Sequence, residues 1–113
     1  MTANTPQTKK AKGSRLEKKF ASLIRQKGLD KNAKRQLMSG ASYLKGDIYT
    51  TLPYSIECKN TEKHKIWEEW NQAVEQCPLG KDPVLVISGN YRPILVTMEA
   101  NDWLNLVKEA KND

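Results

Sequence analysis

Three segments of the chain carry apolar residues at the three- and four-residue spacing of amphipathic helices. The first segment runs from a predicted N-cap at Ser14 to Gly28, and the second is stopped by Pro78 and Gly80. The third covers residues 99–110. The apolar positions of the three helices are Leu16, Phe20, Leu23 and Ile24; Ile66, Trp70, Ala73, Val74 and Cys77; and Trp103, Leu104, Leu106 and Val107.

Residues 46–59 have the alternating, β-branched and aromatic pattern of a β-hairpin, with strands at 47–50 and 54–59 joined by a turn at 51–53. If the turn centres on Leu52, Ile48 lies opposite Ile56 and Asp47 lies opposite Glu57. Lys59 then shares the face of Glu57. We therefore expect one apolar face and one face with two carboxylates and an ammonium group.

Further strands are predicted near residues 35–38, 83–88 and 94–98, the last two forming a pair. The resulting order is α-β-β-β-α-β-β-α, which describes a mixed α/β fold with helices packed against one mixed sheet. At 113 residues the chain is long enough for one modest core. We expect a single domain over residues 13–113, preceded by an arm at residues 1–12 that is disordered when unbound.

The net charge of +6 is concentrated at the start of the chain. Residues 1–36 hold eleven Lys and Arg against Glu17 and Asp30, and the remainder has a net charge of −3. Such a distribution favours a polyanionic partner, although a solvated basic surface without a partner would look the same. The candidate nucleic-acid-binding residues are Lys9, Lys10 and Lys12 in the arm, then Arg15, Lys18, Lys19, Arg35, Ser39 and Ser42.

The carboxylates predicted to face each other in the hairpin indicate a cation site. Directly opposed like charges destabilise a sheet unless something lies between them, and Mg²⁺ takes oxygen ligands from one or two carboxylates. A metal held by Asp47 and Glu57 would activate water, and Lys59 would offset charge on a phosphate. The alternative is a surface hairpin in which Lys59 simply neutralises both acids.

Glu17 has two interpretations at this stage. Its spacing from Ser14 is that of a capping box, yet it is also an isolated acid on the edge of the buried stripe, where it could reach a metal. The small residues around Ser39 and Ser42 suit close approach of a nucleic-acid backbone, or an ordinary loop.

Cysteine and histidine usage argues against a zinc site. Cys58 and Cys77 have no metal-type spacing, and His64 is the single histidine. We expect two reduced thiols, with Cys58 buried. No apolar run reaches membrane-spanning length and residues 1–7 are polar, so we expect no membrane association and a cytoplasmic protein.

These segments resemble the PD-(D/E)XK nuclease superfamily, and within it the archaeal-type Holliday-junction resolvases and the related VRR-NUC nucleases. The resemblance spans nearly the whole fold. Gly46 stands where the family motif has its proline, whereas the carboxylate that follows is retained. The matching segments are Gly13-Ser14-Arg15-Leu16-Glu17, Ser39-Gly40, Gly46-Asp47-Ile48 and Ile56-Glu57-Cys58-Lys59.

The resemblance implies a restriction-endonuclease-like fold and a metal-dependent DNA endonuclease that hydrolyses phosphodiester bonds. By it, Asp47 and Glu57 are ligands of Mg²⁺, for which Mn²⁺ would substitute. Lys59 is the catalytic lysine, Glu17 an accessory ligand, and Gln72 a weak match to an accessory glutamine. It also implies a homodimer that cuts branched DNA such as a Holliday junction during recombination and repair.

Two other functions remain open on the sequence. The chain could be a restriction-like, nicking or repair nuclease with another substrate preference, because the metal site is common to all of these. It could also be a non-catalytic DNA-binding module on a nuclease scaffold, which the joint presence of Asp47, Glu57 and Lys59 disfavours. RNA is an alternative substrate, since backbone contacts dominate in both cases.

Overall fold

The computed structural model of the protein describes residues 6–36 and 46–112, and of residues 6–9 the backbone alone. The predicted order of elements is confirmed, and the mixed α/β architecture is compatible with a restriction-endonuclease-like fold. The elements are α1 Pro6–Gln26, β1 Lys34–Arg35, β2 Ile48–Tyr49, β3 Tyr54–Asn60, α2 Ile66–Glu75, β4 Asp82–Ser88, β5 Leu95–Thr97 and α3 Ala100–Lys111.

Helix α1 begins at Pro6 and not after Ser14. Residues 6–12 of the predicted arm are therefore the first turns of the helix, and the capping-box interpretation of Glu17 is wrong because Ser14 and Glu17 lie inside it. Proline suits the start of a helix, since its missing N–H has no intrahelical partner there. The predicted end is confirmed, with Gly28 in the left-handed region at φ 72°.

Among residues 6–36 and 46–112, the strands form two ladders where one sheet was predicted. In the first, β1 pairs antiparallel with β2; in the second, β4 pairs parallel with β3 and antiparallel with β5. The predicted hairpin ladder between β2 and β3 is wrong. The turn explains the difference. Asp30 Oδ2 accepts hydrogen bonds from Thr50 Oγ1 and from the Thr51 N–H, both at 2.8 Å. These contacts hold the backbone in a conformation other than that of a tight hairpin.

The main core lies between α1 and one face of the β3–β4 pair. Side chains alternate between the two faces along these strands. Cys58 is buried in this core, so Glu57 and Lys59, on either side of it, point to the opposite face. On that side Leu85 of β4 and Ala73 of α2 are buried, because α2 packs against β3 and β4. The core members are Leu16, Ala21, Ile24, Ala33, Ile48, Ile56, Cys58, Val84 and Val86.

His64 fixes the start of α2 against the end of β4. Its ring lies 2.8 Å from the Glu69 carboxylate through Nδ1 and 2.8 Å from the Ser88 carbonyl through Nε2. Glu69 Oε2 also accepts a hydrogen bond from the Lys65 N–H. These contacts hold the helix that covers the Glu57 face of the sheet.

Helix α3 has an amphipathic sequence and yet contains no buried residue. Its apolar side chains Trp103 and Leu104 are 55% and 53% exposed. Both cysteines are free thiols, and Cys58 is buried as predicted. In the described ranges, no helix is long and apolar enough to cross a membrane.

Candidate active site

Asp47 is held beside the middle of β3 by two hydrogen bonds. Its N–H donates to the Ile56 carbonyl at 2.8 Å, and its Oδ2 accepts from the Cys58 N–H at 2.7 Å. The side chain thus occupies a position that a strand carbonyl would take in a ladder. The proximity of Asp47 to Glu57 predicted from the sequence is therefore reached without the predicted pairing of strands.

The glycine before Asp47 accounts for the departure from the family motif. Gly46 has φ 87°, and an added Cβ would lie 3.1 Å from Ser55 Oγ. Proline is fixed near φ −65° and cannot adopt this backbone. In this chain the backbone conformation of Gly46 places Asp47 beside β3.

Glu57 lies in the centre of β3, directly opposite the buried Leu85 of β4. Burial raises the pKa of its carboxyl to about 8, and the charge of Asp47 and a side-chain hydrogen bond between the two carboxyl groups act in the same direction. The Lys59 ammonium opposes this shift in part. Two acids thus share one desolvated position, which is costly without a compensating cation.

Lys59 lies two residues further along β3 and on the same face as Glu57. The intervening Cys58 points into the core, where burial raises the pKa of its thiol and makes it inert. The strand thereby alternates between core and site, with the lysine close enough to affect the Glu57 carboxyl. This arrangement matches the predicted face of two carboxylates and one ammonium group.

Glu17 of α1 is engaged by Arg35 of β1. Arg35 Nε donates to Glu17 Oε1 at 2.7 Å, a pair that ties the helix to the first ladder. Burial raises the pKa of Glu17, the hydrogen bond from Arg35 lowers it, and the negative charge of Asp47 raises it again. Glu17 therefore faces the site of Asp47, but one of its oxygens already has a cationic partner.

The donor set fits a hard cation that needs few protein ligands. Asp47 and Glu57 offer carboxylate oxygens in contact with each other, and Mg²⁺ binds through one or two carboxylates while keeping several waters. Within residues 6–36 and 46–112, no group of three or more His, Cys, Asp or Glu is arranged to hold a metal. The roles of Asp47, Glu57 and Glu17 as metal ligands therefore remain predictions.

The predicted nucleic-acid-binding residues fall into three groups. Lys10, Arg15, Lys18 and Lys19 are exposed on α1. Lys12 pairs instead with Glu62 at 3.3 Å, and Arg35 with Glu17. Ser39 and Ser42 lie outside the described residues, as does the side chain of Lys9. Gln72, which was predicted separately as a weak match to an accessory glutamine, is exposed on α2.

Sequence reasoning missed two parts of the site. Arg35 was predicted to bind nucleic acid, and its pairing with Glu17 had no signal beyond opposite charge. The Cys58 N–H that holds the Asp47 carboxylate is a backbone group, and side-chain patterns carry no information about it. Both depend on how β1 and β2 are placed against α1 and β3.

Comparison with known families identifies the superfamily of the chain. Residues 8–113 match the family described as "Phage putative PDDEXK endonuclease". The chain belongs to this family. Membership confirms the resemblance to the PD-(D/E)XK superfamily. It does not extend to the archaeal-type resolvases or the VRR-NUC nucleases, and the roles of Asp47, Glu57 and Lys59 stay predictions. Searches of curated proteins and of solved structures found no match.

Proposed function

We propose that the protein is a divalent-metal-dependent DNA endonuclease that hydrolyses phosphodiester bonds at a site formed by Asp47, Glu57 and Lys59. The single observation that carries this proposal is the contact between the Asp47 and Glu57 carboxyl groups at a desolvated position of β3. A purely structural pair of acids would be expected to bind a cationic side chain. Here the Asp47 carboxylate accepts a hydrogen bond from the Cys58 N–H, and Asp47 affects the pKa of Glu57 more strongly than the Lys59 ammonium does.

A divalent metal ion such as Mg²⁺, held by Asp47 and Glu57, would supply polarisation of the phosphoryl group and activation of water. Asp47 and Glu57 would hold and orient the ion, with Asp47 kept in place by the Cys58 N–H. Lys59 would stabilise the negative charge that grows on the phosphate in the transition state. Glu17 would complete the ligand set through water, restrained by Arg35.

Branched DNA is the substrate class that the resemblance to junction resolvases favours. The exposed cations Lys10, Arg15, Lys18 and Lys19 support binding of a polyanion along α1. They contact phosphates in any duplex, so they do not by themselves select a Holliday junction. Restriction-like or nicking activity is the alternative within the same chemistry.

A second copy of the chain is the partner that we propose for α3. An apolar cleft of about 170 Å³, lined by Phe20, Leu52, Val96, Leu106 and others, adjoins this helix. The exposed apolar side chains of α3 extend the same surface, and large exposed apolar patches mark interaction sites. A two-fold dimer would supply two active sites for paired cuts.

The test is a cleavage panel with labelled four-way junction, fork, nicked duplex, linear duplex and RNA. Each substrate is incubated with Mg²⁺, with Mn²⁺ and with chelator. We expect cleavage of DNA only when metal is present, and fastest cleavage of the branched substrates. Absence of cleavage in every metal-containing reaction, together with retained DNA binding, would instead support the non-catalytic module. Preference for linear duplex would support the restriction-like alternative.

A further inference from the structure

A polar cleft, separate from the apolar cleft beside α3, lies across α1 from Glu17, at the end of the sheet where β4 leaves it. It has a volume of about 410 Å³, within the range of sites that bind small molecules. One wall is α1, through Arg15 and Lys19, and the other is the loop between β4 and β5. Neither the family match nor the carboxylate site accounts for this cleft.

The loop that forms the second wall is fixed by hydrogen bonds. The Asn90 N–H donates to Glu62 Oε2 at 2.7 Å, and the Arg92 N–H closes a turn on the Gly89 carbonyl at 3.3 Å. An added Cβ at Gly89 would lie 2.9 Å from the Thr61 carbonyl, so the close approach of loop and strand requires glycine. The loop is therefore built before any ligand arrives.

Tyr91 occupies the third position of this turn at φ 59°, where glycine is strongly favoured. Its side chain is fully exposed, with a relative exposure of 107%. The residue thus accepts an unfavourable backbone conformation without gaining any burial in return. An aromatic ring in such a position contributes nothing to the fold and is free to stack against a ligand.

The charge of the cleft is positive. Arg15 and Lys19 are exposed on one side, and Arg92 contributes a third cation from the loop. Glu62, the acid beside the loop, is already engaged by the Asn90 N–H and by Lys12 at 3.3 Å. Three cations around an exposed aromatic ring are the combination that binds single-stranded nucleic acid, through phosphate contacts and base stacking.

We propose that this cleft binds an unpaired nucleotide of the DNA substrate, with its base stacked on Tyr91 and its phosphates held by Arg15, Lys19 and Arg92. The proposal rests on the DNA endonuclease function proposed above and deepens it. It specifies that the preferred substrates expose single-stranded nucleotides across α1 from the cleavage site.

The test measures binding of a labelled oligothymidylate and of a labelled duplex by fluorescence anisotropy in chelator, so that cleavage cannot occur. Tyr91→Gly should weaken binding of the single strand by about five-fold or more, which corresponds to the lower end of base–aromatic stacking. The melting temperature of the Tyr91→Gly variant should equal or exceed that of the wild type, because glycine suits φ 59°. Tyr91→Phe should retain the affinity.

The matched control is Leu79→Gly, because Leu79 is equally exposed, at 104%, in the turn at the other end of β4. It should leave both affinities unchanged. Tyr91→Asn serves as a second variant, since asparagine also tolerates the left-handed backbone. Single-strand affinity that is unchanged in Tyr91→Gly and Tyr91→Asn would overturn the proposal.

Charge is tested separately with Arg15→Gln and Lys19→Gln. Each should reduce the slope of log affinity against log salt for the single strand by about 0.7, the value for one phosphate contact. Unchanged slopes in both would also contradict the proposal. If wild type cuts DNA with metal while Tyr91 variants bind normally, this inference fails and the nuclease function stands. If the Tyr91 variants bind the single strand more weakly but the wild type does not cut DNA with metal, the nuclease function fails and the single-strand site stands.

Discussion

Asp47 Oδ2 accepts a hydrogen bond of 2.7 Å from the backbone N–H of Cys58. This contact crosses from the segment before β2 to the middle of β3, and it sets the Asp47 carboxylate next to Glu57. The Asp47 side chain thus accepts a hydrogen bond that a backbone carbonyl of a neighbouring strand would otherwise accept. Proper formation of the site depends on Gly46, whose φ of 87° directs Asp47 toward the strand.

Stability in the absence of metal should fall as pH rises through the neutral range. The pKa of Glu57 is raised from 4.5 to about 8 in the folded protein, so the folded state binds more protons than the unfolded state between these values. Urea unfolding in chelator at pH 5, 6.5 and 8 should show this loss, and Glu57→Gln should reduce it. An identical pH dependence in the variant would contradict the raised pKa.

Asp30 should produce a dependence of the opposite sign at acid pH. Hydrogen bonds from the Thr51 and Asn32 N–H groups and from the Thr50 hydroxyl lower its pKa from 3.8 to about 2. Its stabilising effect is present above pH 3.8 and is lost as pH falls toward 2. Asp30→Asn should lower the melting temperature at pH 7 and flatten the acid part of the curve. Asp102→Asn, on α3, is the control and should change neither.

Mg²⁺ should raise the melting temperature of the wild type, because a ligand that binds only the folded state stabilises it by about 2.7 kcal/mol at a hundred times its Kd. Asp47→Asn and Glu57→Gln should lose this gain. Without metal at pH 8, where the Glu57 carboxyl ionises in the folded protein, both variants should match or slightly exceed the wild type, since repulsion between the two carboxylates is removed. A full Mg²⁺ shift in both variants, measured by scanning fluorimetry, would place the metal elsewhere.

Lys59→Ala should separate metal binding from catalysis. We expect it to keep the Mg²⁺-induced rise in melting temperature and to lose cleavage, because the ammonium group acts on charge that develops in the transition state. Single-turnover cleavage and thermal shift on the same preparation measure the two effects. Cleavage at the wild-type rate would remove Lys59 from the site.

The proposed dimer should depend on the exposed apolar face of α3. Trp103→Glu places a charge in this face, where the wild-type side chain is 55% exposed. Light scattering should give twice the chain mass for the wild type and one chain mass for the variant. Trp67→Glu, on the exposed side of α2, is the control and should leave the mass unchanged. A monomeric wild type, both free and with junction DNA, would exclude the dimer but not the nuclease.

The order of elements was predictable because each helix and strand carries its own periodicity. The apolar stripe of α1 and the buried run of β4 gave the correct element types, and Gly28 gave the end of the helix. The start of α1 was missed because residues 6–12 contain no apolar residues at helical spacing, which was the signal used to predict helices. The candidate motif residues Asp47, Glu57 and Lys59 could be proposed from the sequence because they lie close together in it, and their assignment remains a prediction.

Sheet pairing could not be derived in the same way. The predicted hairpin had a suitable turn length, but Asp30, which is distant in sequence, accepts hydrogen bonds from the Thr50 hydroxyl and the Thr51 N–H and holds the turn in another conformation. The partnership of Glu17 with Arg35 likewise joins distant segments. Long-range polar contacts of this kind depend on the three-dimensional arrangement, and a single sequence contains no periodic signal for them.

The most direct test of the active site is Mg²⁺-dependent cleavage by Glu57→Gln, measured under single-turnover conditions with the best DNA substrate of the wild type. The matched control is Glu75→Gln, the same change at an exposed position of α2. We predict that Glu57→Gln folds and binds DNA but does not cut, while Glu75→Gln cuts like the wild type. Cleavage by Glu57→Gln at the wild-type rate would contradict the assignment of the site to Asp47, Glu57 and Lys59.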